Sequence, residues 1–342
     1  MQEKNNLRKL KFGKTDMYIT AMSFGALPMG RCSASEADVM LNAVLDSGIN
    51  FMDTARIYAD CEEKIGMFIS NRRSEYYLAT KTMARTAEGM YADIQTSLDK
   101  MRTPYIDLYQ IHNPKNMQEL ETVMGKGGAL EALKQAKAEG KVRYIGITGH
   151  NVDVLKQAIA TGEFSSVQVP YSFVEQQSEK ELLPLARNLG MGILGMKPFG
   201  GSQIRQVDLS LRFILQQGDI VPIPGMDNIA QLQQNLNTFC NFQPLTEQEL
   251  ELLRQEEREI GKDFCRRCGY CLPCAVGIDI PGIFILNLSF KRYGARAGGI
   301  PRYAAQPVKA SACTGCGICE TRCPYELKIR ERLQEVVRNF ES

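Results

Sequence analysis

The sequence lacks the features of three classes of protein. Its 41 lysines and arginines nearly balance its 39 aspartates and glutamates, and the net charge of +2 gives no bulk attraction to nucleic acid or to an anionic membrane surface. Residues Met1–Lys14 are charged and contain no apolar segment typical of a signal peptide. Apolar runs such as Ile280–Phe290 are far shorter than the ~20 residues of a membrane-spanning helix. We therefore expect a cytoplasmic protein that binds neither nucleic acid nor membrane.

Three further features that are scarce or absent restrict which folds and which cofactors the chain can have. The chain has only two histidines, His112 and His150. No glycine-rich dinucleotide-binding motif follows the first predicted strand, which disfavours a doubly wound open sheet. No separate flavin-binding motif is present either, so a flavin cofactor has no sequence support of its own.

Cysteine, in contrast, is abundant and clustered near the C-terminus. Eight of the 11 cysteines form two runs, namely Cys265, Cys268, Cys271 and Cys274, followed by Cys313, Cys316, Cys319 and Cys323. The second run has the spacing C-x2-C-x2-C-x3-C-P, which is typical of a [4Fe-4S] cluster. The first run departs from it, with two residues before its last cysteine and Ala275 in place of proline.

In two-cluster ferredoxins the fourth cysteine of each run ligates the other cluster. This exchange predicts one [4Fe-4S] cluster on Cys265, Cys268, Cys271 and Cys323, and a second on Cys313, Cys316, Cys319 and Cys274. Disulfides are disfavoured because cysteines so close in sequence pair poorly, and zinc because its sites usually use two separated pairs. The other three cysteines, Cys32, Cys61 and Cys240, have no partner pattern and are expected to be small buried apolar residues.

From residue 21 to about 240 the chain alternates short apolar runs with longer amphipathic ones. The eight apolar runs are Ala21–Gly25, Ile49–Asp53, Tyr76–Lys81, Ile106–Ile111, Val142–Thr148, Ser166–Pro170, Gly192–Lys197 and Ile220–Pro224. Eight strands that alternate with helices predict an α/β fold, a (β/α)8 TIM barrel. A hairpin over residues 9–19 precedes it, and one of the predicted helices is Ser178–Leu189. We expect the barrel to span residues 1–260 and a small ferredoxin-like iron–sulfur domain to span 261–342.

Four polar residues stand at or just after the ends of predicted strands: Asp53, Tyr58, Lys81 and His112. The C-terminal ends of barrel strands carry the active site in TIM-barrel enzymes. A cationic Lys81 beside Tyr58 lowers the pKa of the phenol and allows it to donate a proton. Asp53 holds Lys81 in place, and His112 orients a substrate oxygen. This group suits the reduction of a carbonyl by hydride.

The whole chain resembles an aldo/keto reductase with a C-terminal ferredoxin-like domain. The motifs that carry the resemblance are Asp53-Thr54-Ala55-x-x-Tyr58, Ala79-Thr80-Lys81, Leu108–His112, Gly140–Ile147, Gln168–Tyr171, Met196-Lys197-Pro198 and Pro222–Gly225. The resemblance implies a nicotinamide-dependent oxidoreductase with Asp53, Tyr58, Lys81 and His112 as its catalytic residues. It also implies that a small-molecule carbonyl/alcohol pair is the substrate, selected by the loops Met83–Met90 and Asn113–Gly128.

The resemblance also implies a cofactor pocket, formed by Thr148, Gln168, Met196, Lys197, Gly200, Gly225 and Asn235. Relatives that use NADPH carry a lysine and an arginine on the ribose 2′-phosphate, where this chain has Gly225 and Gln231. The loss of two cations weakens a phosphate site selectively. We therefore expect NAD(H) rather than NADP(H), with a flavin as the alternative occupant.

Two other functions fit the same residues. The protein is an electron-transfer protein if the barrel serves as a scaffold and the two clusters relay electrons to a redox partner protein. It is a non-redox enzyme if Tyr58 and His112 catalyse acid–base chemistry such as elimination or epimerisation. Hydride transfer moves two electrons whereas each cluster moves one, so the two halves have no obvious means of exchanging electrons.

Overall fold

The computed structural model describes residues 7–201, 203–261, 264–267, 269–293, 299–323 and 325–341. The chain forms two compact units, Met1–Leu253 and Arg254–Ser342. The division falls inside the helix Glu247–Gly261, seven residues before the boundary expected from the sequence. Among the described residues, no helix combines the length and the apolar composition that crossing a membrane requires.

The first unit is a barrel of parallel strands surrounded by helices. Its strands are β1 (Lys9–Lys11), β2 (Tyr18–Thr20), β3 (Phe24–Gly25), β4 (Phe51–Asp53), β5 (Tyr77–Thr82), β6 (Ile106–His112), β7 (Val142–Thr148), β8 (Ser166–Pro170), β9 (Gly192–Met196) and β10 (Ile220–Pro222). Its helices are α1 (Ala34–Asp46), α2 (Cys61–Phe68), α3 (Ala87–Met101), α4 (Met117–Met124), α5 (Ala129–Ala138), α6 (Val152–Ala160), α7 (Leu182–Asn188), α8 (Val207–Leu215), α9 (Ile229–Cys240) and α10 (Glu247–Gly261).

Strands β3 to β10 pair in sequence order, and the first and last close on each other. The Ser23 N–H donates to the Pro222 carbonyl at 3.0 Å, and the Gly25 N–H donates to the Pro224 carbonyl at 2.9 Å. A Cβ on Gly25 would lie 2.9 Å from the Ile223 carbonyl oxygen, so glycine permits this approach. The closure confirms the predicted (β/α)8 barrel and excludes the open sheet.

The predicted hairpin is present as β1–β2, and it covers the N-terminal end of the barrel. The Lys14 N–H donates to the Gly190 carbonyl at 2.8 Å, just before β9 begins. Phe12, Met17 and Ile19 are buried together with the inward-facing Phe51 and Leu108. Because this end is filled with apolar side chains, a ligand has access from the opposite end, where the strands terminate.

The predicted helix Ser178–Leu189 is interrupted. The segment begins with a 3-10 turn, Gln177–Glu179, and continues as helix α7. Pro184 lies in the first turn of α7. Proline has no N–H to donate to the preceding turn, so a continuous helix through this point is disfavoured.

The second unit has its own small apolar core. Its helices are α11 (Ile280–Tyr293), α12 (Gly299–Ala304), α13 (Ile318–Thr321) and α14 (Ile329–Phe340). Ile283, Ile329, Leu333 and Val336 are buried in this core, together with Cys319. The cysteine runs therefore pack directly against the apolar core of the unit.

Candidate active site and cysteine cages

The barrel brings the four predicted catalytic residues together. Asp53 is the last residue of β4, Lys81 is next to the last of β5, and His112 is the last of β6. These neighbouring parallel strands are paired in register, so their ends meet at one edge of the barrel. Tyr58 follows β4 in a short turn in which its N–H donates to the Ala55 carbonyl at 3.0 Å.

Lys81 is the centre of this group. Its Nζ donates to Asp53 Oδ2 at 2.6 Å and to the Thr54 carbonyl at 2.8 Å. The same Nζ lies 5.1 Å from the centre of the Tyr58 ring and is hydrogen-bonded to that side chain. Burial disfavours the charge on Lys81, but Asp53 and then Tyr58 outweigh burial and raise the Lys81 pKa. The lysine therefore presents a permanent positive charge to the phenol.

Asp53 is hydrogen-bonded to two buried amides, Gln168, which the sequence predicts as a cofactor residue, and Gln110, which it does not predict as part of the site. Gln110 Nε2 donates to Asp53 Oδ1 at 3.3 Å and to Gln168 Oε1 at 2.9 Å, and Gln168 is also hydrogen-bonded to Asp53. All three side chains are at most 3% exposed. Burial raises the pKa of the Asp53 carboxyl, while Lys81 and both amides oppose that rise.

The sequence contained a signal for Gln110. Residues two apart on a strand point to the same face, so Leu108, Gln110 and His112 of β6 all face the barrel interior. Leu108 lies in the interior apolar cluster, which places Gln110 inside as well. An amide at an inward position needs buried polar partners, and only the strand ends supply them.

His112 is neutral at physiological pH. Burial lowers its pKa to about 3, and the cations of Lys81 and Arg85 add to the effect. Its ring meets the Tyr58 ring edge to face, with 6.2 Å between the ring centres. Its Nδ1 is buried and has no hydrogen-bond partner within the described part of the chain. A neutral imidazole next to Tyr58 is able to donate one hydrogen bond to a substrate oxygen.

Four of the seven predicted cofactor residues lie on strands or on a helix of the barrel. Thr148 and Met196 lie together at the ends of β7 and β9, with the Thr148 hydroxyl 3.9 Å from the Met196 sulfur. Gln168 lies opposite Thr148 in register, but both ends of its amide bind the Asp53 network. Asn235 is buried on α9.

The loop after β9 is a tight turn with left-handed residues. Gly200 and Gly201 both have positive φ, +54° and +64°, and Lys197 has φ +57°, which is uncommon for a residue with a side chain. The Gly200 N–H donates to the Lys197 carbonyl at 2.9 Å, and Lys197 Nζ lies 3.9 Å from Glu175 Oε1. The loop therefore supplies an anion with the Lys197 cation, which Glu175 partly neutralises, and not with the Gly200 N–H.

Near Gly225 the chain has an acidic residue, Asp227, and Gly225 and Gln231 stand where NADPH-using relatives carry a lysine and an arginine. Gly225 is exposed, and a Cβ there would lie 2.9 Å from the Pro28 side chain. Gln231 accepts a hydrogen bond from the Asp227 N–H at 3.0 Å. The Asp227 carboxylate lies 3.8 Å from Arg31, in an exposed pair. A phosphate at this position therefore meets one carboxylate and one partly neutralised arginine.

In the second unit the cysteines line two cavities. One cavity is lined by Cys274, Cys313, Cys316 and Cys319. The other is lined by Cys265, Cys271 and Cys323. In each, a cysteine of one run joins cysteines of the other run, and Ile280 lines both. The remaining predicted ligand, Cys268, lies outside the described residues.

The donor set of these cavities fits iron–sulfur clusters. Neither set of described lining residues includes a carboxylate or an imidazole, and all ten described cysteines are free thiols. Gly315 and Gly317 have positive φ, which lets the chain wrap around a cavity between closely spaced cysteines.

The three cysteines outside the runs have different environments. Cys61 is buried, and burial raises its pKa to about 12. Cys32 is half-buried, whereas Cys240 is exposed at the end of α9. The expectation that all three are buried is therefore wrong for Cys240, because the last residue of an amphipathic helix lies at its outer edge.

Comparisons with known proteins agree with this geometry. The family model of the aldo/keto reductases matches residues 19–209, and the model of a 4Fe-4S dicluster domain matches residues 264–328. The oxidoreductase YqkF of Bacillus subtilis is 26% identical over 307 residues, covering 74% of this chain and 97% of that protein. L-galactose dehydrogenase of Arabidopsis thaliana is 28% identical over 205 residues, covering 54% of this chain and 63% of that protein.

Solved structures share the barrel fold. Aldo-keto reductase AKR11C1 from Bacillus halodurans superimposes with a TM-score of 0.65 at 22% identity, covering 73% of this chain and 96% of that one. An aldo-keto reductase from Klebsiella pneumoniae in complex with NADPH gives a TM-score of 0.62 at 22% identity, covering 73% and 94%. The chain thus belongs to the aldo/keto reductase family of oxidoreductases, and it carries a 4Fe-4S dicluster domain at its C-terminal end.

Proposed function

We propose that the protein is a nicotinamide-dependent reductase that interconverts a carbonyl and an alcohol on a small metabolite. The observation that carries this proposal is the Lys81 ammonium, which contacts Asp53, the Thr54 carbonyl and Tyr58 at the end of the barrel. A reduced nicotinamide, when bound, supplies a hydride to the carbonyl carbon. The residues described below supply and orient the proton.

In the reduction, Tyr58 donates its phenolic proton to the carbonyl oxygen. Lys81 stabilises the phenolate that forms and so lowers the cost of this transfer. Neutral His112 donates a hydrogen bond to the same oxygen and fixes its position. In the oxidation the steps reverse, and the phenolate takes the proton of the alcohol. Asp53, itself held by Gln110 and Gln168, keeps Lys81 oriented.

For the cofactor we propose NAD(H) in preference to NADP(H). Support comes from Gly225 and Gln231, which carry no charge, and from Asp227, which repels a 2′-phosphate. Thr148, Met196 and Lys197 would hold the nicotinamide and the pyrophosphate, with Gly200 in the turn beside Lys197. The Klebsiella structure contains NADPH. Calorimetric titration of NADH and NADPH tests the preference, and tighter binding of NADPH would overturn it. A bound flavin would show in the visible spectrum of the purified protein.

For the second unit we propose two [4Fe-4S] clusters, one on Cys265, Cys268, Cys271 and Cys323, and one on Cys274, Cys313, Cys316 and Cys319. The grouping of the described cysteines around two cavities supports this assignment. We place the domain boundary near residue 260 and the protein in the reducing cytoplasm, where cluster thiolates persist. Iron and sulfide analysis with electron paramagnetic resonance of the anaerobically purified protein checks the number of clusters: about eight irons per chain are expected.

A second candidate function is electron relay between the clusters and a redox partner protein. The exposure of Cys316 at one cavity favours it, since that cluster would face solvent in its own unit. Tyr58→Phe separates the candidates. It stops carbonyl reduction and impairs a non-redox acid–base enzyme, but it leaves electron relay through the clusters intact. A requirement for nicotinamide then separates the reductase from the acid–base enzyme.

A further inference from the structure

Two loops at the open end of the barrel are joined into one unit. The loop after β5 contains Arg85, and the loop after β6 begins at Asn113. The Ala129 N–H donates to the Arg85 carbonyl at 2.9 Å, and the Ala87 N–H donates to the Gly127 carbonyl at 2.8 Å. The two segments expected to select the substrate therefore form a continuous backbone-bonded surface.

The Arg85 side chain completes this connection. Its Nε and Nη2 donate to Glu119 Oε2 at 3.0 and 2.8 Å, which ties it to the first turn of α4. Its Nη2 also donates to the carbonyl oxygens of His112 and Asn113, at 3.0 and 2.9 Å. The side chain is 16% exposed. One guanidinium thus holds the backbone that carries His112 and the helix that follows it.

Asn113 needs this support because its backbone is strained. Its φ of +52° is unfavourable for any residue with a side chain, although asparagine tolerates it better than most. Asn113 Oδ1 lies 3.1 Å from His150 Nδ1 at the end of β7. Because an amide oxygen accepts and does not donate, this contact favours the tautomer of His150 that carries its proton on Nδ1. Arg85 therefore acts on both histidines, on His112 through the backbone and on His150 through Asn113.

We propose that Arg85 is a positioning residue that sets the His112 imidazole toward the substrate and, through Asn113, fixes the tautomer of His150. This proposal rests on the proposed reductase function for the role of His112. The fork of the guanidinium is essential, because a lysine matches the charge of Arg85 but does not bridge a carboxylate and two carbonyls with fixed geometry.

The test compares Arg85→Met and Arg85→Lys with a matched control, Arg72→Met. Arg72 forms a similar two-pronged pair with Glu75, at 3.0 Å for both contacts, and its side chain is 17% exposed. It lies before β5, at the other end of that strand from Arg85. Arg72 also contacts Asp46 at 2.8 Å and Asn42 at 3.0 Å, so the control reports the cost of losing an equally buried arginine whose described partners include no histidine.

The first readout is independent of turnover. The chain has two histidines, so nitrogen NMR of the full, cluster-loaded protein labelled with ¹⁵N-histidine gives two assignable rings. In the wild type and in Arg72→Met, His150 carries its proton on Nδ1. In both Arg85 variants the Nδ1–H form of His150 gives way to a tautomeric mixture, as it does in Asn113→Gly, which keeps the positive φ and removes the amide. An unchanged His150 tautomer in Arg85→Met overturns the proposal.

The second readout is carbonyl reduction. We expect kcat to fall about 10- to 100-fold in Arg85→Met, with Arg85→Lys intermediate and the nucleotide KM unchanged, because the lost contacts orient a catalytic group. If kcat fell equally in Arg85→Met and Arg72→Met, Arg85 would have only a structural role, and the proposal would be overturned. A wild type that reduces no carbonyl compound would overturn the proposed function instead, and the NMR result would still decide the role of Arg85.

Discussion

The barrel site and the cysteine cages are built in different ways. In the barrel, protein groups satisfy one another: Lys81, Asp53, Gln110 and Gln168 are each at most 3% exposed and are joined by hydrogen bonds. In the second unit, thiols surround two cavities, and the apolar core beside them is small. The barrel site is therefore organised before any ligand binds, whereas the cages depend on what fills them.

The largest expected effect is on the cages. We expect Cys319→Ser to lose the cluster bound at Cys274, Cys313 and Cys316 and to destabilise the second unit, because Cys319 is buried in the small core of that unit. About half of the iron should be lost, with a matching fall in visible absorbance. Cys240→Ser, at an exposed position, is the control. Full iron content in Cys319→Ser would contradict the assignment.

Next in size is the loss of the proton donor. Tyr58→Phe removes the phenolic hydroxyl beside Lys81, and we expect kcat for carbonyl reduction to fall about 10²- to 10⁴-fold. Steady-state kinetics measures this fall, and the absorbance of the clusters should not change. Tyr18→Phe, at a tyrosine that is 57% exposed, provides the matched control. Comparable loss in both variants would argue against a specific role for Tyr58.

A smaller effect is expected for the amide beneath the site. Gln110→Leu removes the donor to Asp53 and Gln168 and leaves their buried oxygens short of a partner. The cost is about 1–3 kcal/mol of the free energy of unfolding of the barrel, measured by denaturant titration. The iron content of Gln110→Leu should not change, in contrast to that of Cys319→Ser. If Gln110→Leu were as stable as the wild type, the hydrogen bonds of Gln110 would contribute nothing to the free energy of unfolding.

The smallest effect concerns pH. Unfolded His112 binds a proton below about pH 6.5, whereas the folded residue, with a pKa of about 3, does not. The unfolded state therefore gains protons first, and the free energy of unfolding falls as the pH drops from 6.5 towards 3. Between pH 7 and 5 the wild type should lose about 2 kcal/mol relative to His112→Gln. Parallel pH dependences would contradict a neutral buried imidazole.

The strands of the barrel could be predicted from the sequence more fully than the segments that connect them. All eight strands follow apolar runs, since strands buried on both faces read as continuous apolar segments. The break before α7 follows from Pro184, a signal present in the sequence, whereas the exposure of Cys240 depends on local packing that composition does not encode. Asp53, Tyr58, Lys81 and His112 were found because each stands at a strand end with a chemically distinctive side chain.

Gln110 and Arg85 escaped sequence reasoning for different physical reasons. An inward-facing glutamine is visible only once the parity of β6 is known, and Arg85 acts through backbone carbonyls, which have no sequence signature. The cysteine spacing predicted which described cysteines share a cavity, because three-residue steps fix neighbouring thiols around one site. The exchange of Cys274 and Cys323 between runs came from the resemblance to two-cluster ferredoxins.

Transfer of deuterium from the nucleotide to the product is a direct test of hydride transfer at the barrel site. The anaerobic protein is mixed with NADH that carries two deuterium atoms at C4 of its dihydronicotinamide ring and with a small aldehyde, and the alcohol is analysed by mass spectrometry. With the wild type we expect one deuterium on the former carbonyl carbon. With Tyr58→Phe we expect the rate of deuterium transfer to be about 10²- to 10⁴-fold lower. Alcohol formed without deuterium, or equal transfer rates in the two proteins, would contradict hydride transfer at the Asp53–Lys81–Tyr58–His112 site.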